Sequence, residues 1–165
     1  MQRILMAIAL VILLSIVGLI FERSSRNSEA VIRKNIHSLS TIALEMVKAQ
    51  TALEATDHTV LTAQQVAGLE DAMINALAMK ASGFEASRLG MKIEVVTARG
   101  KAQASRELHR FGEWYCEPDV QLLNKVNRLQ QLQLLTQDLF PLFQVTMCYL
   151  NSDGSITKSS ASSFD

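Results

Sequence analysis

Residues 84–116 read FEASRLGMKIEVVTARGKAQASRELHRFGEWYC, and whether they form helix or strand decides the fold. Leu89, Ile93 and Val96, then Ala104, Leu108, Phe111 and Tyr115, recur at helical spacing. Met91-Lys92-Ile93-Glu94-Val95 instead alternates as a half-buried strand does, between Gly90 and Gly100. Ala, Leu, Gln, Met and Ser dominate the chain and prolines are scarce, which favours helix. The sequence therefore predicts helix over 102–115 and over 84–99, with a strand at 91–97 as the alternative.

C-terminal to this stretch, Glu117-Pro118-Asp119 breaks the chain. A further helix then runs to about Phe140, with Leu122, Val126, Leu129, Leu132, Leu135 and Leu139 inward and an amide-rich outer face, until Pro141 ends it. Val145, Met147 and Tyr149 change the period to two, and Asp153-Gly154 is a hairpin turn signal before Ile156. Residues 142–158 read as an extended segment or hairpin, and 159–165 as a disordered tail.

N-terminal to it, Thr62-Ala63-Gln64-Gln65 has the form of a capping box opening a helix with Val66, Leu69, Met73, Ala76 and Leu77 on its apolar face. Ile32, Ile36, Leu39, Ala43, Met46, Gln50 and Leu53 repeat at alternating spacings of four and three, a seam within residues 24–57. Such a seam serves either as one stripe of a bundle core, across 58–141, or as an intermolecular coiled coil with Gln50 fixing register.

The run Ile4–Phe21 carries no charge and is flanked by Arg3 and Glu22-Arg23. As a helix it would rise about 27 Å, close to the thickness of bilayer hydrocarbon. Small residues are missing at the positions a signal cleavage needs, so residues 1–23 read as an uncleaved transmembrane signal anchor. Arg23, Arg26, Arg33 and Lys34 would favour a cytoplasmic body. The three-residue tail ahead of the run reads like an export signal, and the expectation taken is a single-pass membrane protein with its body outside the cytoplasm, in the periplasm.

Sixteen basic and sixteen acidic residues cancel, with no basic stripe, so nucleic acid has little electrostatic reason to bind. Cys116 and Cys148 are the only thiols, and in an oxidising compartment such a pair most simply forms one disulfide. Geometry leaves that bond open. A 118–140 helix carries the chain about 34 Å away, and seven extended residues recover roughly 23 Å. The bond closes only if Pro141 reverses the chain and the helix is shorter or bent.

His109, Glu113 and Cys116 fall on one helical face as competent metal ligands, but no second cluster completes a site, and a salt-bridged, disulfide-bonded helix end is the simpler reading. His37 and His58 stand isolated and read as solvated surface. Trp114 and Tyr115 read as core packing rather than a binding anchor. The spacing of Glu107 and Cys116 resembles that of membrane-tethered phage lysozymes, yet Leu122 stands where their threonine is expected, and the enzyme reading is rejected. No phosphate loop or Ser-His-Asp set can be assembled.

The expected fold is mainly α: a transmembrane helix, then an antiparallel helical bundle with a short C-terminal β-hairpin. The expected function is non-enzymatic and cofactor-free, a structural or assembly subunit working through helical contacts with membrane lipid, its own copies or other membrane-complex subunits. A ligand-sensing bundle is a weaker alternative, for lack of a second membrane helix. If 91–97 and 143–157 are both strands, the layout resembles the bitopic inner-membrane subunits of pilus and type II secretion platforms: anchor, coiled coil, small α+β domain.

Overall fold

The computed structural model describes residues 2–53, 61–99, 103–112, 116–131 and 141–164; at 2–14, 16–26, 53, 98, 99 and 103–107 it describes the backbone alone. Three α-helices, α1 (Gln2–Leu53), α2 (Ala63–Lys80) and α3 (Leu122–Gln131), accompany four strands among the described residues. The strands are β1 (Leu89–Arg99), β2 (Gln103–Phe111), β3 (Leu142–Leu150) and β4 (Ile156–Ser162). They form one antiparallel sheet in the order β2-β1-β3-β4. The fold is α+β, and the expected helical bundle is corrected on that finding.

Residues 84–116 account for the difference. Ile93, Val95, Val96 and Thr97 are β-branched, and their stiff side chains suit a pleated surface better than a helix. Met91, Ile93 and Val95 point to one face and pair in register with Met147, Val145 and Phe143. In β2, the helical spacing of Ala104, Leu108 and Phe111 was coincidental. An edge strand buries only part of its side chains, so its own pattern is weak and pairing with β1 decides its state. Phe111 is buried, whereas Leu108 is 42% exposed.

Gly112 ends β2 at φ +78, and a Cβ there would lie 2.4 Å from the Leu89 carbonyl oxygen. Only glycine fits both the backbone angle and that approach. The C-terminal hairpin turns at Asp153-Gly154, with Gly154 at φ +80 and the Ser155 amide donating to Asp153 Oδ1 at 2.8 Å. The hairpin is part of the main sheet rather than an appendage, and β4 runs on through Ser162 into the stretch expected to be disordered.

On the apolar face of the sheet lie α1 and α2. Thr62 and Gln65 form the expected capping box, and α2 turns Leu69, Met73 and Leu77 into the core. From α1, Ser28, Ile32, Ile36, Leu39, Ser40, Ala43, Leu44 and Val47 are buried. That stripe is broader than a two-position coiled-coil seam, as covering a sheet requires. Each large side chain in it contributes about 1.5–3 kcal/mol of burial.

The expected membrane helix at 4–21 is the second correction. Among the described residues no helix is long and apolar enough to cross a membrane. The apolar run is not a separate element but the first part of α1, which continues unbroken through Glu22, Arg23 and Arg26 into the charged and apolar mixture of residues 29–48. The single-pass placement with a periplasmic body falls with it.

Ile36→Ala should cost about 2–5 kcal/mol in urea unfolding, whereas Ile42→Ala, at a position 47% exposed, should change stability by no more than about 0.5 kcal/mol. Equal effects would mean that the α1 stripe is not packed on the sheet. Gly112→Ala should cost more than about 1 kcal/mol.

Candidate functional site

The opposite face of the sheet is polar and nevertheless covered. Lys92 and Glu94 in β1 and Gln144 and Thr146 in β3 are all at most 1% exposed. The segment 116–121 and α3 lie over them, fixed at one end by a Cys116–Cys148 disulfide with Cα atoms 5.9 Å apart. The bond that helical geometry left open closes because α3 starts only at Leu122 and β3 brings Cys148 back beneath the segment. At its far end α3 inserts Leu122 and Val126 against Val96 and Leu142.

Between these anchors runs a charge network. Glu94 Oε2 accepts from the Leu122 backbone amide at 3.0 Å and from Gln144 Nε2 at 3.1 Å. A carboxylate from β1 thus satisfies an orphan donor at the start of α3 and complements its dipole. Lys92 Nζ lies 3.8 Å from Glu94 Oε1 and bonds Glu117, which also accepts from Arg110 at 3.1 Å. Lys158 Nζ donates to Asp119 Oδ1 at 2.5 Å, and Gln144 Nε2 also donates to the Val120 carbonyl at 2.9 Å. Lys92, Arg110 and Lys158 are thus balanced by Glu94, Glu117 and Asp119.

Beside this network an open groove of about 490 Å³ runs along β2, lined by Lys92, Leu108, Arg110, Glu117, Pro118 and Asn124 among others. Its charges come in bonded pairs, an arrangement that can recognise polar or charged groups. Among the described residues no three His, Cys, Asp or Glu side chains converge as metal ligands. Comparison with known protein families, curated proteins and solved structures finds no match for the chain.

The residues singled out from the sequence are dispersed. Ile32, Ile36, Leu39 and Ala43 are buried within the chain's own core, Met46 and Gln50 are part-buried, and the side chain of Leu53 lies outside the described ones. His109 sits on β2 opposite Ile93, on the sheet face away from the groove, while Cys116 is committed to the disulfide. Glu113, Trp114, Tyr115 and His58 lie outside the described residues, as does the helix expected over 132–140. Glu107 pairs in register with Val95.

His37 is exposed, as expected, but not isolated. Its Nδ1 lies 3.0 Å from Ser159 Oγ, which is 3.1 Å from Ser40 Oγ, a clasp between α1 and β4. No sequence spacing could reveal partners 122 residues apart. Lys92 and Glu94 did carry a signal, as the polar members of the β1 alternation. Nothing local showed that a second layer would bury them.

The turn also perturbs one acid: hydrogen bonds from the Ser155 hydroxyl and amide hold the Asp153 carboxyl below its usual value. Its folded form is therefore favoured above the unfolded carboxylate range and loses that preference as pH falls through the lowered value. An NMR titration should place Asp153 below the ordinary aspartate value, and Ser155→Ala should move it back up.

Lys92→Met should cost about 3–5 kcal/mol, since it strands Glu94 without its buried counter-charge. The double change Lys92→Met with Glu94→Leu should recover much of that loss in chemical denaturation. The disulfide closes a separation of 32 residues, so Cys116→Ser should cost about 3–4 kcal/mol. Amide exchange should then rise first in 116–131.

Proposed function

We propose that the chain is a non-enzymatic structural or assembly subunit that works through protein–protein contacts. The observation that carries this reading is the length of α1. Its 52 residues span about 78 Å, whereas the longest strand, with 11 residues, spans about 37 Å. Among the described side chains the buried stripe of α1 runs from Ser28 to Val47. The helix is therefore longer than the longest described strand by about 40 Å, and its sequence from Ile4 to Phe21 is apolar apart from Ser15. A long helix ending in a folded head can hold that head at a set distance from partner helices, and apolar surface on such a helix gains free energy when another subunit covers it.

A second reading draws on strands β1, β3 and β4, which occupy the two segments that the secretion-like alternative needs as strands. A long helix followed by a small α+β head resembles, in layout, subunits of pilus and type II secretion platforms. The shared features are the helix and the head, not a membrane-spanning segment.

Photo-cross-linkers placed at Leu10 and Leu14 in the native host should give discrete protein adducts, and one at buried Ile36 should give none. Leu10→Glu with Leu14→Glu should abolish the adducts while the head retains its unfolding midpoint. Absence of adducts at both positions would defeat the assembly reading.

A further inference from the structure

We propose that the Cys116–Cys148 disulfide is a redox latch. Reduced by a dithiol, it frees residues 116–131 from the sheet and uncovers the polar face of β1 and β3, while the α1 and α2 side stays folded. This device works on the face of the sheet away from α1 and stands apart from the assembly reading.

What lies under the covering layer is suited to water. Lys92 and Glu94 are charged yet at most 1% exposed, and Gln144 is fully buried. Burial strips hydration from both charges, and a buried ion pair commonly fails to repay that cost in full. Gln144 Nε2 donates to Glu94 and to the Val120 carbonyl, but its Oε1 has no hydrogen-bond partner. An orphaned buried acceptor carries a desolvation penalty that contact with water removes. Opening the layer rehydrates all three groups.

The layer has little else to hold it. Its helix α3 has ten residues, too few to persist alone in water. Leu122 and Val126 are buried against Val96 and Leu142, with Leu123 and Phe164 alongside. Ties such as those of Glu117 to Lys92 and Arg110, and of Asp119 to Lys158, are polar contacts that water can replace. The other face rests on a large apolar cluster that includes Ile32, Ile36, Leu69, Ile93 and Val145. Neither cysteine belongs to that cluster, so cutting the bond leaves it intact.

The bond sits where its loss releases the layer. Cys116 is the first described residue of the covering segment, and Cys148 stands in β3 opposite Gly90 and Lys158 of the neighbouring strands. Cys116 is 7% exposed and Cys148 0%, so an attacking thiolate enters at Cys116. A mixed disulfide forms at Cys116 Sγ, and Cys148 Sγ leaves with the bonding electron pair and takes up a proton. The second thiol of the reductant then displaces Cys116, which is protonated in turn, and closes its own disulfide. Two electrons and two protons pass from the dithiol to the protein. The bond spans a separation of 32 residues, and its loss raises the open population about a hundredfold or more.

The test uses the full chain, left oxidised or treated with dithiothreitol under native conditions, then capped with iodoacetamide and labelled with acetic anhydride. Mass spectrometry compares buried Lys92 with exposed Lys34. Reduction should speed acetylation of Lys92 relative to Lys34 about a hundredfold or more. Amide protection should fall across 116–131 and persist at 91–96 and 143–149. Glutathione disulfide should restore both patterns. Cys116→Ala with Cys148→Ala should show the open pattern without reductant and no response to dithiothreitol.

A bond that yields to dithiothreitol only in denaturant would overturn the latch, as would a Lys92 that stays unreactive after reduction. Protection lost throughout the sheet at one rate would make the disulfide a structural brace instead. An alanine variant that folds with Lys92 still protected would defeat the idea too. Should that variant not fold, reduction of the unaltered protein decides by itself.

Discussion

The antiparallel pairing of β1 with β3 is the constraint on which the remaining structure depends. It aligns Leu89, Met91, Ile93 and Val95 with Tyr149, Met147, Val145 and Phe143, and so creates the apolar face that α1 and α2 cover. The same alternation sets Lys92 and Glu94 beside Thr146 and Gln144 on the reverse side. One register therefore specifies both a greasy layer and a charged one. A slip by a single residue would exchange them and leave neither layer with a partner.

The two layers are held by different physics. The α1 side relies on buried apolar area, which is non-directional and tolerates variation in detail. On the α3 side, among the described residues, Leu122 and Val126 are buried against Val96 and Leu142, with Leu123 and Phe164 packed alongside, a much smaller apolar cluster than the one under α1. The position of α3 is set by directional bonds: the Glu94 contact with the Leu122 amide, the Lys92–Glu117–Arg110 chain and the Cys116–Cys148 link. Such bonds add little net energy in proportion to their number, but they specify one arrangement over others.

Local signals were legible in the sequence wherever the physics was local. The Thr62–Gln65 box, the Asp153-Gly154 turn and the periodic positions Ile32, Ile36, Leu39 and Ala43 all fall where pattern reasoning puts them. The β3–β4 hairpin was legible, but the β1–β2 half of the sheet was read as helix first, because β1 has both faces covered and β2 is an edge whose partial burial imitates a helical period. Nor was the polar site legible. Glu94, Glu117 and Gln144 meet only after a hairpin and a crossover have formed, so no spacing records their proximity. The apolar opening run misled for another reason: its composition is that of a membrane span, but it is the first part of a helix more than twice its length.

The covalent link has a topological corollary. Cys116 precedes α3 and Cys148 lies within β3, so everything between them belongs to a closed ring of chain. A protease that nicks this ring once would leave two polypeptides still joined through sulfur, with β1, β3 and β4 together in one particle. Separation of the fragments would then require a reductant as well as a cut, and a nicked molecule would keep its mass on a non-reducing gel.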